Sequence, residues 1–143
     1  MARLIQGRAI VDGEAQGPAL VAHEPLSFWG GFDFKSGEII DRRHPLAGAR
    51  AAGSIFAVPF SKGSSTTTAV LLEAVRAGTA PAAIVTTGVD AFFALASIVA
   101  RTMYDKSFPV VSIDATDFAT LVSGQPIRVE RDGTIRIDDG EAD

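Results

Sequence analysis

The chain has 143 residues, a formal net charge of -4 and a pI of about 5.1, which argues against nucleic acid or an acidic membrane as a partner. It has no cysteine and only two histidines, so a self-contained metal site would have to use carboxylates. A length of 143 residues suits one domain over residues 1–143. Since no signal-type or membrane-spanning apolar run is present, we expect a soluble, cytoplasmic protein.

Two short strands are predicted near the N-terminus. Residues 3–11 alternate loosely between apolar and polar side chains, and residues 19–22 form an apolar run after a Gly-Pro pair. The turn-like residues 12–14 lie between them. This pattern indicates a hairpin or the edge of a small barrel.

The next segment, residues 23–53, has no long periodic element, and long loops of this kind are often functional. Phe32 and Phe34 are expected to face Ile39 and Ile40 across a turn at residues 35–38. The aromatic side chains of the segment form either a satellite core or a contact surface: Phe28, Trp29, Phe32 and Phe34.

Polar residues in the same segment have ordinary explanations. The His44-Pro45 pair is typical of a turn, which favours a surface or hydrogen-bonded histidine over a catalytic base. The Arg42-Arg43 pair is typical of a solvated face, although arginines there could also bind a carboxylate.

The chain is organised around residues 54–78. An apolar run from Ile55 to Phe60 predicts a buried strand, residues 61–65 form a polar loop, and the residues up to Gly78 predict a helix. Hydroxyl groups therefore cluster at a helix N-terminus, where free backbone N–H groups favour an anion. Helix capping is the simpler explanation of these hydroxyls, but the run Thr66 to Thr68 also allows ligand contacts.

Regular elements follow to the end of the chain. Strands are predicted at residues 82–86 and 109–113, and helices at residues 89–101, capped near Asp90, and 116–122, capped by Asp114 or Thr116. Residues 127–130 and 134–137 predict a hairpin across an Asp-Gly turn, and the acidic tail at residues 138–143 is expected to fray.

The order of these elements predicts an α/β fold. Strand–helix–strand–helix–strand between residues 55 and 113 implies a small parallel sheet, with the outer strands as an additional β layer. Ligands bind beyond the carboxyl ends of such strands, which is where residues 61–65 and 86–89 fall.

Several motifs, taken in order, resemble one known family. They are Ser27-Phe28-Trp29-Gly30-Gly31-Phe32-Asp33, Ser36-Gly37-Glu38-Ile39-Ile40-Asp41, His44-Pro45-Leu46, Pro59-Phe60-Ser61-Lys62-Gly63-Ser64-Ser65 and Ala80-Pro81-Ala82-Ala83-Ile84. This set is similar to the small subunit of the aconitase X family, the swivelling domain of an aconitase-like dehydratase, over essentially the whole chain.

The resemblance implies a swivelling β/β/α three-layer domain and a hydro-lyase of two subunits. The large partner subunit would hold an iron or iron–sulfur centre, and this chain alone would bind no cofactor or metal. The substrate would be a small hydroxy acid, either cis-3-hydroxy-L-proline or 5-phosphomevalonate. Ten arginines against three lysines in an Ala-rich chain resemble a bacterial composition, which favours the hydroxyproline reaction.

The family's catalytic serine follows the glycine of a Gly-Ser pair, so the resemblance places the proton acceptor at Ser64. Lys62, Gly63 and Ser65 are the neighbouring candidates for substrate binding, and the other motifs add Asp33 and His44. Family members often carry an arginine at the position of Lys62 and Gly/Ser residues where this chain has threonines.

Two alternatives belong to another functional class. Swivelling folds also serve as phosphohistidine carriers, although neither His23 nor His44 lies in a Gly-rich segment followed by a helix pattern. A non-catalytic ligand-binding module would use the same anion site at the loop.

Overall fold

The computed structural model describes residues 2–62 and 66–138. Within these residues the chain forms ten strands and three helices: β1 Ala2–Gln6, β2 Arg8–Val11, β3 Ala15–Val21, β4 Phe32–Asp33, β5 Glu38–Ile39, β6 Ile55–Ala57, α1 Thr66–Ala77, β7 Ala83–Thr86, α2 Ala91–Tyr104, β8 Val110–Ser112, α3 Ala115–Phe118, β9 Pro126–Val129 and β10 Thr134–Asp138.

Eight of the described strands form one sheet in the order β1-β10-β9-β3-β6-β7-β8-β2. The strands at its two ends, β1 and β2, are consecutive in the chain and are separated only by Gly7. The sheet therefore closes on itself through residues 2–11. A side chain at position 7 would not fit, because a Cβ there would lie 2.5 Å from Val111 Cγ1 and 2.7 Å from the Gly133 carbonyl oxygen.

The strand β3 also belongs to both halves of the sheet. Residues 15–18 pair with β9 antiparallel, and residues 19–21 pair with β6 parallel. The first half of the sheet is antiparallel and contains β1, β10, β9 and the start of β3. In the second half, the end of β3 runs parallel to β6, β7 and β8. The strand β2 pairs antiparallel with β8 at the end of this second half. The predicted parallel sheet and additional β layer are both confirmed. The hairpin predicted between residues 3–11 and 19–22 is wrong, because β1 pairs with β10 and β2 pairs with β8 instead of with β3. The barrel-edge alternative describes these residues better.

Two apolar cores separate three layers. The core between the two halves of the sheet takes alternate residues of the central strands, such as Ile55, Ala57 and Val85. The residues between them, Phe56 and Ile84, point the other way and pack against α1 and α2. Both faces of the central strands are thus buried, as their continuous apolar sequence requires.

The remaining elements follow the sequence pattern with shifted ends. Gly78 follows α1 with φ +80, and the hairpin of β9 and β10 turns at Gly133 with φ +95. The Thr134 backbone N–H donates to Asp132 in that turn and holds the pKa of the carboxyl below its ordinary value. The third helix is shorter than predicted and ends at Phe118.

Two expectations about exposed or frayed segments need correction. The strand β6 ends at Ala57, and Phe60, predicted as its last buried residue, is 51% exposed. Asp138, predicted to begin the frayed tail, is the last residue of β10 and pairs with Ala2. The rest of the predicted tail, residues 139–143, lies outside the described residues.

Candidate functional site

The loops after β6 and β7 leave the sheet at the same edge and contact each other. Val58, the residue after β6, donates its N–H to the Val85 carbonyl within β7 at 2.9 Å, and between the two loops the Thr87 N–H donates to the Pro59 carbonyl at 3.4 Å. The sequence predicted this juxtaposition, because parallel strands end at one edge of a sheet.

Asp90 joins the two loops. Its Oδ1 accepts hydrogen bonds from the N–H groups of Phe92 and Phe93 at 3.0 and 3.2 Å, which caps α2. Its Oδ2 accepts from the backbone N–H and the hydroxyl of Ser61 at 2.7 and 2.8 Å. The capping function was predicted, but the bonds to Ser61 were not, because no local pattern shows which distant loop meets a helix cap.

A third segment lies against the same loop. Leu26 forms a parallel bridge with Ser61, and its carbonyl accepts from the Lys62 N–H at 3.0 Å. The Lys62 side chain is exposed. Lys62 is therefore held through its main chain while its side chain is exposed.

The threonines after the loop open α1 and differ in their surroundings. Thr68 is 8% exposed, and its hydroxyl donates to the Phe92 carbonyl in the first turn of α2 at 3.0 Å. Thr67 is 1% exposed, and its Oγ1 has no hydrogen-bond partner among residues 2–62 and 66–138. The first turns of α1 and α2 thus contact each other directly beside the loop.

The predicted catalytic residue Ser64 lies outside the described residues, as do the predicted substrate-binding residues Gly63 and Ser65. Their described neighbours on either side are Lys62 and Thr66, the first residue of α1.

The two other predicted binding residues hold their own loops. Asp33 accepts from the Lys35 N–H at 2.9 Å and from the Ser36 hydroxyl at 3.1 Å, so its carboxylate closes a turn. His44 is 7% exposed. Its Nδ1 accepts from the Leu46 N–H at 3.0 Å, and its Nε2 lies 3.3 Å from the Glu24 carbonyl, an arrangement that requires the Nε2–H tautomer.

The aromatic segment divides between core and surface. Phe28 is fully buried and packs against Phe93 with ring centroids 5.5 Å apart, whereas Trp29 is 72% exposed. Phe60 and Val89 are exposed as well and are the chain neighbours of Ser61 and Asp90, whose side chains bond each other. Trp29 follows Leu26, which bridges Ser61, by three residues, and we refer to the exposed side chains of Trp29, Phe60 and Val89 together as the apolar rim.

The described part of the chain offers no donor set for an iron centre. Among residues 2–62 and 66–138, no three His, Asp or Glu side chains converge on a point where a metal ion would fit, and the whole sequence lacks cysteine. Over the same residues, no helix is both long and apolar enough to cross a membrane.

Together, the closed two-part sheet and the covering helix pair define a swivelling β/β/α domain. The chain belongs to the aconitase X swivel domain family, whose model matches residues 4–137.

Relatives occur in two arrangements. The chain is 45% identical over 112 residues to the cis-3-hydroxy-L-proline dehydratase of Pseudomonas aeruginosa, covering 78% of this chain and 19% of that protein. It is 34% identical over 136 residues to the phosphomevalonate dehydratase small subunit of Thermococcus onnurineus, covering 94% and 98%. The chain thus spans about a fifth of the length of the hydroxyproline dehydratases it matches, and nearly all of the small subunits.

A solved structure has the same fold. The crystal structure of Thermococcus kodakaraensis aconitase X in its holo-form superposes with a TM-score of 0.85 at 30% identity, covering 95% of this chain and 98% of that one. The predicted family and fold class are confirmed by these matches.

Proposed function

We propose that this chain is the small subunit of an iron-dependent, aconitase-like hydro-lyase and that it supplies the catalytic base. The observation that carries the proposal is the family match over residues 4–137, together with relatives named dehydratase in both arrangements. The relatives that match nearly end to end are named small subunits, so we propose that the partner is a large aconitase-X-type subunit.

We propose cis-3-hydroxy-L-proline as the substrate. Identity to the Pseudomonas aeruginosa dehydratase named for this compound is 45%, against 34% for the Thermococcus onnurineus small subunit. The bacterial composition of the chain agrees with this choice. The absence of cysteine fits a reducing compartment, and we place the enzyme in the cytoplasm.

Ser64 is the proposed proton acceptor. It lies two residues before α1, so the free N–H groups and the positive dipole end of this helix favour an oxyanion nearby. The Lys62 ammonium, exposed beside the loop, adds to the same field. Such a field is needed because a serine hydroxyl is a weak base unless its alkoxide is stabilised.

The reaction balances without any further reactant. The serine alkoxide takes the proton from the carbon that bears the carboxylate, and the electron pair of that C–H bond forms the new double bond. The bond from the neighbouring carbon to its hydroxyl breaks, and the hydroxyl leaves as water with a proton from solvent, which balances the proton that the serine released to solvent when its alkoxide formed. Ser65 and Lys62 would bind and orient the substrate carboxylate.

An iron centre does not fit the donors offered by residues 2–62 and 66–138. Because the described residues contain no convergent set of His, Asp or Glu and the sequence has no cysteine, we assign the iron or iron–sulfur centre to the large subunit. Two residues of the apolar rim, Phe60 and Val89, adjoin the hydrogen-bonded Ser61 and Asp90, so we propose that the rim contacts this partner.

The proposal is tested on the complex of this chain with its large subunit. Wild-type complex is expected to dehydrate cis-3-hydroxy-L-proline and to exchange the substrate's α-proton with solvent deuterium. Ser64→Ala should lower kcat by about 10²–10⁴-fold, the usual cost of losing a general base, with assembly intact. Ser65→Ala is the matched control and should act mainly on KM.

The results of these experiments distinguish whether Ser64, Ser65 or the large subunit supplies the base. If Ser65→Ala abolishes proton exchange while Ser64→Ala keeps it, the two assignments are reversed. If both variants exchange at the wild-type rate, the base belongs to the large subunit. Absence of dehydration with every tested hydroxy acid would contradict the enzyme proposal itself.

5-Phosphomevalonate is the second candidate substrate, since the small subunits that match nearly end to end are named for its dehydratase. The exposed Arg42 and Arg43 are candidates to bind its phosphate. Both compounds should be offered in parallel, and turnover of only the phosphorylated one would replace the first choice.

A further inference from the structure

The Asp90 carboxylate is used in two directions. One oxygen caps α2 through the N–H groups of Phe92 and Phe93, as an ordinary N-cap does. The other oxygen accepts two hydrogen bonds from Ser61, and these are the shorter ones, 2.7 and 2.8 Å. Short bonds to an ionised acceptor are the strong class of hydrogen bond.

The start of α2 consequently bonds to described residues on both sides of residues 63–65. On one side, Ser61 is fixed by Asp90, two residues before Gly63. On the other side, α1 is tied to the same turn, because the Thr68 hydroxyl donates to the Phe92 carbonyl at 3.0 Å. The span between these anchors contains the proposed base and its neighbours.

We propose that Asp90 is a positioning residue for the dehydratase reaction: by holding Ser61 it fixes the point at which the chain enters residues 62–65, which include the proposed base. This inference rests on the proposed function of Ser64. Misplacing a catalytic group by about 1 Å can cost on the order of 100-fold in rate, so a tether at the start of the loop acts on kcat.

Substitutions can test separately the two roles of the Asp90 oxygens, capping α2 and bonding Ser61. In Asp90→Asn the side-chain oxygen can still cap α2, but the NH₂ group then faces the Ser61 N–H, donor against donor. Ser61→Ala removes only the hydroxyl bond and leaves the backbone bond. Asp114→Asn is the matched control, since Asp114 is also a helix N-cap but its side chain makes no capping hydrogen bond.

In the complex, Asp90→Asn is expected to lower kcat by about 10- to 100-fold with KM within about threefold, while Asp114→Asn keeps the wild-type values. The double variant of Asp90→Asn with Ser61→Ala should be no slower than Asp90→Asn alone, because both changes break the same contact. Wild-type kcat in Asp90→Asn, or additive losses in the double variant, would overturn the proposal.

Hydrogen–deuterium exchange of the chain gives a readout that needs no activity. The Ser61 amide should exchange faster in Asp90→Asn, while the amides of α2, residues 91–104, keep their protection. Unchanged exchange at Ser61, or loss of protection throughout α2, would show that Asp90 is only a helix cap. If the wild-type complex dehydrates nothing, the proposed function fails, and this measurement still decides whether Asp90 holds the loop.

Discussion

The buried hydroxyl of Thr67 gives a prediction about the stability of this site. Thr67 is 1% exposed, and its Oγ1 has no partner among residues 2–62 and 66–138. A buried, unsatisfied hydroxyl costs about 1–3 kcal/mol. Valine has nearly the same shape and a similar helix propensity. Thr67→Val should therefore raise the free energy of unfolding by about 1–2 kcal/mol.

The neighbouring threonine is the matched control with the opposite sign. The Thr68 hydroxyl donates to the Phe92 carbonyl at 3.0 Å and links the two helices. Thr68→Val removes that bond and should lower the free energy of unfolding by about 1 kcal/mol. Both changes are Thr to Val in the first turn of α1, so differences in helix propensity cancel between them.

Thermal and urea denaturation of the isolated chain, followed by circular dichroism, measure both variants. A change of 1 kcal/mol corresponds to a shift in Tm of about 2–4 °C for a domain of this size. The two variants should therefore move in opposite directions by an easily resolved amount. Equal destabilisation by the two substitutions would refute the reasoning, since it would mean that the Thr67 hydroxyl is satisfied in the folded chain.

Two further pairs test the closure of the sheet and the apolar rim. Gly7→Ala should lower the free energy of unfolding by about 1–3 kcal/mol because its Cβ has no room. Gly88→Ala, which meets no atom within 4 Å, should change it by less than about 0.5 kcal/mol. Equal effects in denaturation would contradict the closure argument. Trp29→Ala should leave the free energy of unfolding unchanged and raise the Kd for the large subunit by about tenfold or more. Phe28→Ala, at the buried neighbouring position, should lower the free energy of unfolding by about 3–5 kcal/mol. Unaltered assembly of Trp29→Ala in titration would exclude Trp29 from the interface.

Local patterns in the sequence determined the elements and their order. The apolar runs of the central strands, the Asp90 cap and the glycines at positions 78 and 133 depend on nearby residues only, and the structure contains each of them. The order of strands and helices then restricted the central sheet to parallel pairing. The motifs carry the resemblance to the aconitase X family without any tertiary information.

Tertiary structure decided what depends on distant partners. Periodicity shows that a strand is apolar but not which strand it pairs with, so the closure through residues 2–11 and the division of β3 between two pairings could not be foreseen. The same limit applies to adjacent aromatics: Phe28 is buried and Trp29 exposed because of what packs around each. Asp90 is the clearest example of a feature that depends on a distant partner. The sequence specifies a helix cap, whereas the bond of its second oxygen to Ser61, 29 residues away, exists only because two parallel strands end at one edge.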